Sequence, residues 1–64
     1  MPVITVRLWE GRTRDQKAEL AGRITDAMVD VAGCERNTVR VIFEDYAKSD
    51  WAVGGRLADE ADGV

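Results

Sequence analysis

Residues Thr13–Gly33, TRDQKAELAGRITDAMVDVAG, lie between two β-branched runs, Val3–Trp9 (VITVRLW) and Thr38–Phe43 (TVRVIF). Thr13, with Gln16 three residues on, has the form of a capping box, in which two side chains reciprocally satisfy free backbone N–H groups at a helix start. Behind it Leu20, Ala21, Ile24, Ala27, Met28 and Val31 recur at helical spacing, with Lys17, Glu19, Arg23, Asp26 and Asp30 mostly between them. The spacing predicts an amphipathic helix of about 18 residues with one buried stripe. Gly33 is placed to close it in the left-handed conformation.

The flanking runs alternate with period 2, as strands do. Ile4, Val6 and Leu8 share one side of the first, opposite Thr5 and Arg7; Val39, Val41 and Phe43 share one face of the second, opposite Thr38, Arg40 and Ile42. Strand, capped helix and strand in this order predict an α/β (α+β) fold built on a single βαβ unit. Its strands should be parallel and its crossover right-handed. Glu10-Gly11-Arg12 turns the chain out of the first strand, and Glu44–Asp50 is expected to be polar loop. Gly54-Gly55 between short apolar flanks, within Trp51–Leu57, predicts a small C-terminal hairpin. The acidic segment 58–64 is expected to be a mobile tail of a single domain spanning 1–64.

With 64 residues, the chain can bury only about 60% of the surface its unfolded form exposes. Small folds add disulfides, metals or partners. One Cys cannot close an internal disulfide, and with no His a zinc site lacks its usual ligands. A helix covers one face of a two-stranded sheet; the other face and both edges stay open. Self-association is the remaining stabiliser, so residues that look like surface can line a site between subunits. The net charge of −3 and the absence of a Lys/Arg run argue against nucleic acid or an anionic membrane as partner. The sequence shows neither a signal peptide nor a bilayer-spanning segment, and a reduced, cytoplasmic setting suits the free Cys34.

The chemistry-bearing inventory is thin. Without His there is no Ser–His or Cys–His pair, and no Gly-rich phosphate loop or calcium loop is present. One unusual base is available. Initiator Met is generally removed before a small residue, and removal of Met1 would leave Pro2 with a free secondary amine. An α-amino group titrates near pH 7.7–8.0 in model peptides. Neighbouring cations and an apolar wall both disfavour its protonated form, moving it toward the pH at which a general base works best. Read on position alone, Pro2 is a strand-starting residue whose missing N–H costs little.

Pro2, the strand after it, Glu10-Gly11-Arg12, the helix, Val39-Arg40-Val41-Ile42 and Gly54-Gly55, in this order and at this length, resemble the 4-oxalocrotonate tautomerase family, the short-chain members of the tautomerase superfamily. The resemblance runs from Pro2 to about Ala58. It implies a cofactor-independent isomerase that interconverts enol and keto forms of 2-hydroxy-dienoate or 2-oxo acid substrates such as 2-hydroxymuconate, in aromatic degradation, as a homohexamer. It implies Pro2 as general base and Arg12 as binder of the remote carboxylate. Arg40, reaching in from a neighbouring subunit, would bind the reacting end and stabilise the dienolate. Trp51 would be an apolar wall, and the backbone N–H at Trp9 a further contact. No cofactor and no metal are implied.

Other readings of the same residues stay open: Arg12 as a solvated turn residue, Arg40 in an interface ion pair, Trp51 as hairpin packing and Trp9 as an interface anchor. Cys34 is given no catalytic role, and Tyr46 and Lys48 read as loop surface, with nothing to support Lys48 as a Schiff-base amine. Relatives that dehalogenate or hydrate acrylates carry Arg where Trp9 stands and Glu where Val53 stands; neither charge is here. The bulk of Trp9 suggests a narrowed pocket or a bias toward aryl substrates. The functional alternatives are a non-catalytic oligomeric module, one subunit of a hetero-oligomer and a promiscuous hydratase or dehalogenase of the same superfamily, with a DNA-binding strand–helix dimer more distant.

Overall fold

The computed structural model describes residues 1–60. The chain runs through strand β1 (Val3–Trp9), helix α1 (Arg14–Ala32), a single turn of 3-10 helix at Arg36–Thr38 and strand β2 (Arg40–Tyr46). A second 3-10 turn at Lys48–Asp50 leads to the short strands β3 (Ala52–Val53) and β4 (Arg56–Leu57). β1 and β2 pair in parallel, Val3 beside Arg40 through Trp9 beside Tyr46. β3 and β4 form an antiparallel hairpin. This is the expected βαβ unit with a C-terminal hairpin.

The helix ends are built as the sequence predicts. The Thr13 hydroxyl accepts the Gln16 N–H at 3.1 Å, and the Gln16 side chain accepts the Thr13 N–H at 2.9 Å. At the far end Gly33 adopts φ 72°, ψ 21°, and the Cys34 N–H donates to the Met28 carbonyl at 3.3 Å. A Cβ at such a positive φ is strained, which is why glycine ends the helix.

Two details differ from expectation. The second strand begins and ends later than Thr38–Phe43. Thr38 folds back into the 3-10 turn, its N–H and hydroxyl both donating to the Glu35 carbonyl at 3.0 and 2.7 Å. Glu44, Asp45 and Tyr46 continue the strand instead of opening a loop. Their polarity is met by neighbours: Arg7 Nε lies 2.9 Å from Glu44, and Lys17 Nζ 2.6 Å from Asp45. The helix is also rotated relative to the expected stripe. Lys17, Ala21, Ile24, Thr25, Met28 and Val29 are half-buried, whereas Leu20, Ala27 and Val31 are exposed, Val31 at 88%. The Lys17–Asp45 ion pair fixes the first turns against the strand, and a sheet two strands wide covers only a narrow arc of the helix.

Ile4, Val6, Leu8, Val41 and Phe43 face the helix, yet none is fully buried; among the described residues only Ala58 is, at 6% exposure. The opposite face of the sheet carries Val3, Thr5 and Arg7 beside Arg40, Ile42 and Glu44. Val3 is 53% and Ile42 47% exposed there. Each main strand has one neighbour, so each keeps an unpaired edge. The radius of gyration is 14.8 Å, against about 11 Å for a self-contained domain of this length. The segment from Ala58 begins with a hydrogen-bonded turn: its N–H donates to the Trp51 carbonyl at 2.7 Å, and Glu60 N–H to Leu57 at 3.1 Å. Residues 61–64 of the expected tail lie outside the described residues. No helix among the described residues is long and apolar enough to cross a membrane.

Candidate active site

The two ends of the sheet carry different halves of the candidate site. At the start of β1, Pro2 is half-buried and Met1 projects outward, 83% exposed. The parallel register brings Arg40 alongside: its backbone N–H donates to the Pro2 carbonyl at 3.0 Å. The Arg40 guanidinium donates through Nη1 to the Asn37 carbonyl at 3.0 Å. The side chain is exposed and stands on the open face of the sheet with Val3 and Ile42. Alternation along β2 puts it there, since Val39, Val41 and Phe43 are half-buried toward the helix.

At the opposite end, Trp9, Tyr46 and Trp51 form an aromatic cluster. Trp9 and Trp51 meet edge to face, centroids 6.1 Å apart and planes at 79°. Tyr46 and Trp51 do the same at 5.9 Å and 69°. Such pairs place the positive ring edge on the negative ring face. Trp9 Nε1 is buried without a hydrogen-bond partner among the described residues. The Arg12 guanidinium caps this end, Nη1 donating to the Trp9 carbonyl at 3.3 Å. Lys48 Nζ lies over the Trp9 ring, 4.8 Å from its centroid.

Sequence reasoning placed Tyr46 and Lys48 on loop surface; both belong to this cluster. The signal for Lys48 was its position three residues before Trp51. The 3-10 turn closes through the Trp51 N–H to the Lys48 carbonyl at 3.3 Å, and so keeps the two together.

Val3 and Trp9 are the ends of a seven-residue strand, about 20 Å apart at the usual rise. Within one protomer, therefore, Pro2 and Arg40 come together, and Trp9, Trp51 and Arg12 come together, but the two groups are separated by the length of the sheet.

The charges sort in the same way. Of nine Lys and Arg residues, Arg7, Arg14, Lys17, Arg23 and Arg36 lie within 4.0 Å of a carboxylate. Arg12, Arg40, Lys48 and Arg56 have no carboxylate at that distance among the described residues. In an acidic chain, cations left without carboxylates are positioned to take an anion from solution. The Arg7–Glu44 pair is different. The Arg7 hydrogen bond, helped by the Tyr46 hydroxyl donating at 3.1 Å, holds the Glu44 carboxyl below the usual carboxylate range. That pair is internally neutral and serves the sheet.

No group of three or more His, Cys, Asp or Glu side chains that could hold a metal occurs among the described residues. Cys34 is a half-buried free thiol at the helix end. A shallow groove on the outward side of α1, lined by Gln16, Glu19, Leu20 and Arg23, contains none of these groups.

The protomer is thus a parallel βαβ unit with an open sheet face, a proline before its first strand and, among the described residues, arginines without a carboxylate partner at both ends. The profile of the family described as Tautomerase enzyme matches residues 2–60, and the chain belongs to that family. It is 44% identical over its full length to a protein of Ralstonia nicotianae named "probable tautomerase", covering 98% of that protein. It is 38% identical to the 2-hydroxymuconate tautomerase of Bacillus subtilis, over 92% of this chain and 97% of the other. The fold superposes with a TM-score of 0.88 on TomN, a 4-oxalocrotonate tautomerase homologue of the tomaymycin biosynthetic pathway. That pair is 39% identical, with 92% of this chain and 91% of TomN covered.

Proposed function

We propose that this protein is a cofactor-independent tautomerase that converts 2-hydroxy-dienoates such as 2-hydroxymuconate to their 2-oxo isomers, with Pro2 as general base. The observation that carries the reading is the match of residues 2–60 to the tautomerase family, with Pro2 at the head of β1 and Arg12 beside an aromatic wall at the other end of the sheet.

The two half-sites become one through self-association. Two-fold pairing of identical edge strands is necessarily antiparallel. It lays the Pro2 end of one protomer beside the Arg12 and Trp51 end of another. The exposed Val3 and Ile42 supply the apolar face that further copies cover. A homo-oligomer of this kind, a hexamer by resemblance, assembles the whole site.

Removal of the exposed Met1 frees the Pro2 nitrogen as a secondary amine. The amine takes the enol O–H proton. The O–H bonding pair becomes the new carbonyl π bond, the conjugated double bonds shift, and the proton is returned to a carbon of the chain. Composition is unchanged, so neither an electron acceptor nor a second substrate is required. Negative charge develops on the enolate oxygen. The guanidinium of Arg40, reaching in from a neighbouring subunit as the resemblance implies, meets that charge, the largest single contribution in reactions of this type. Arginine suits the task because it stays protonated and grips carboxylates bidentately. Arg12 holds the far carboxylate, and the Trp9–Trp51 pair keeps water out.

Spectrophotometric turnover of 2-hydroxymuconate by Met1-free protein tests the reading. Conversion that falls about 10²–10³-fold in Pro2→Ala supports it; undiminished turnover in that variant overturns the role of the proline.

A further inference from the structure

We propose that Lys48 is a second anion-binding cation of the site, acting with Arg12 on the remote carboxylate of a dianionic substrate and so setting the preference for dicarboxylates. This deepens the tautomerase reading and rests on it for the identity of the substrate.

Both cations are tied to one residue. Arg12 donates to the Trp9 carbonyl at 3.3 Å, and Lys48 Nζ sits 4.8 Å from the Trp9 ring centroid. Neither has a carboxylate within 4.0 Å among the described residues, although Asp50 belongs to the same 3-10 turn as Lys48. A lysine needs restraint to act in recognition, because its ammonium rides on a flexible four-carbon stem. Here the ring supplies it: an ammonium over an indole face is attracted by the ring quadrupole. Trp51 holds that ring edge-on, and its N–H donates to the Lys48 carbonyl.

The ammonium has three donors and spends none of them on a carboxylate among the described residues. Arg12 at the Trp9 carbonyl and Lys48 over the Trp9 ring thus give this end of the sheet two cations free to meet an anion. Within the protomer Lys48 lies at the Trp9 end of the sheet, away from Pro2 and Arg40, so its part is in binding the remote carboxylate and not in the proton transfer.

The test compares two unreactive probes of equal chain length, adipate and hexanoate, by tryptophan fluorescence titration of the assembled protein. Wild type is expected to bind adipate more tightly. Lys48→Gln should reduce that preference about tenfold, Lys48→Arg should keep most of it, and hexanoate binding should stay unchanged in both. A preference undiminished in Lys48→Gln overturns the proposal. So does equal weakening of both probes, or the lack of any preference in wild type. With 2-hydroxymuconate, Lys48→Gln should raise KM with kcat and its pH profile unchanged; a loss confined to kcat also overturns it. If wild type turns over no enol yet shows an adipate preference that Lys48→Gln removes, Lys48 keeps its assignment and the tautomerase reading falls.

Discussion

The backbone N–H of Arg40 donates to the Pro2 carbonyl at 3.0 Å, which anchors the candidate base to the start of β2 through the main chain. The contact does not depend on either side chain. Substitution at Arg40 therefore removes the guanidinium while leaving Pro2 where it is, and effects on turnover can be read as electrostatic.

Arg40→Ala is expected to lower kcat/KM for 2-hydroxymuconate by about 10²–10³-fold, the usual loss when one preorganised donor to a developing oxyanion is removed. Arg40→Lys should recover part of this, since lysine keeps the charge and loses the planar fork. Steady-state kinetics with circular dichroism as a fold control would measure it. Equal activity in Ala and Lys variants would contradict the role.

The Arg7–Glu44 pair predicts a pH dependence of stability. The hydrogen bond from Arg7 lowers the Glu44 pKa in the folded state. The folded state therefore holds that proton less tightly than the unfolded chain. The stabilisation is present above the ordinary carboxylate range and is lost as pH falls through the lowered folded value. Urea midpoints of wild type and Glu44→Gln should differ at about pH 6 and draw together as the pH falls below the ordinary carboxylate range. A gap that widens on acidification would reverse the assigned sign.

Thr13→Ala removes the hydroxyl that accepts the Gln16 N–H. It should cost about 1 kcal/mol in chemical denaturation, and Thr13→Ser should restore most of it. No loss would mean that the capping box is dispensable.

Ile42→Lys places a charge on the apolar face expected to be covered by other copies. Sedimentation velocity should show a shift to smaller species, and the thermal midpoint should become more dependent on concentration. An unchanged mass distribution would mean that the face lies outside the interface.

The βαβ order was legible because three local signals agree: the Thr13 cap, the Gly33 terminator and two β-branched runs of period 2. The end of β2 was not, because Glu44 and Asp45 are strand residues whose polarity is answered by Arg7 and Lys17, far away in sequence. The helix stripe was legible in period but not in phase: a sheet two strands wide covers a narrow arc of the helix, and Lys17 lies on it, paired with Asp45. The parallel register sets the Arg40 N–H against the Pro2 carbonyl, but strand order alone did not say which residues would lie side by side. The aromatic end was only partly legible. Trp9, Arg12 and Trp51 stood out as residue types, whereas Lys48 belongs there only because one turn of 3-10 helix carries it over an indole. The open sheet face was legible in outline, since one helix cannot cover both faces of a sheet, and Val3 and Ile42 stand exposed on it.

Everything proposed for the chemistry turns on a free nitrogen at Pro2. Turnover of 2-hydroxymuconate should therefore be compared between protein whose intact mass lacks Met1 and protein carrying a residue that blocks Pro2, with both shown to be assembled. The blocked nitrogen is an amide and cannot accept the proton, so its kcat/KM should fall by at least about 10²-fold. Equal turnover by the two preparations would contradict the mechanism.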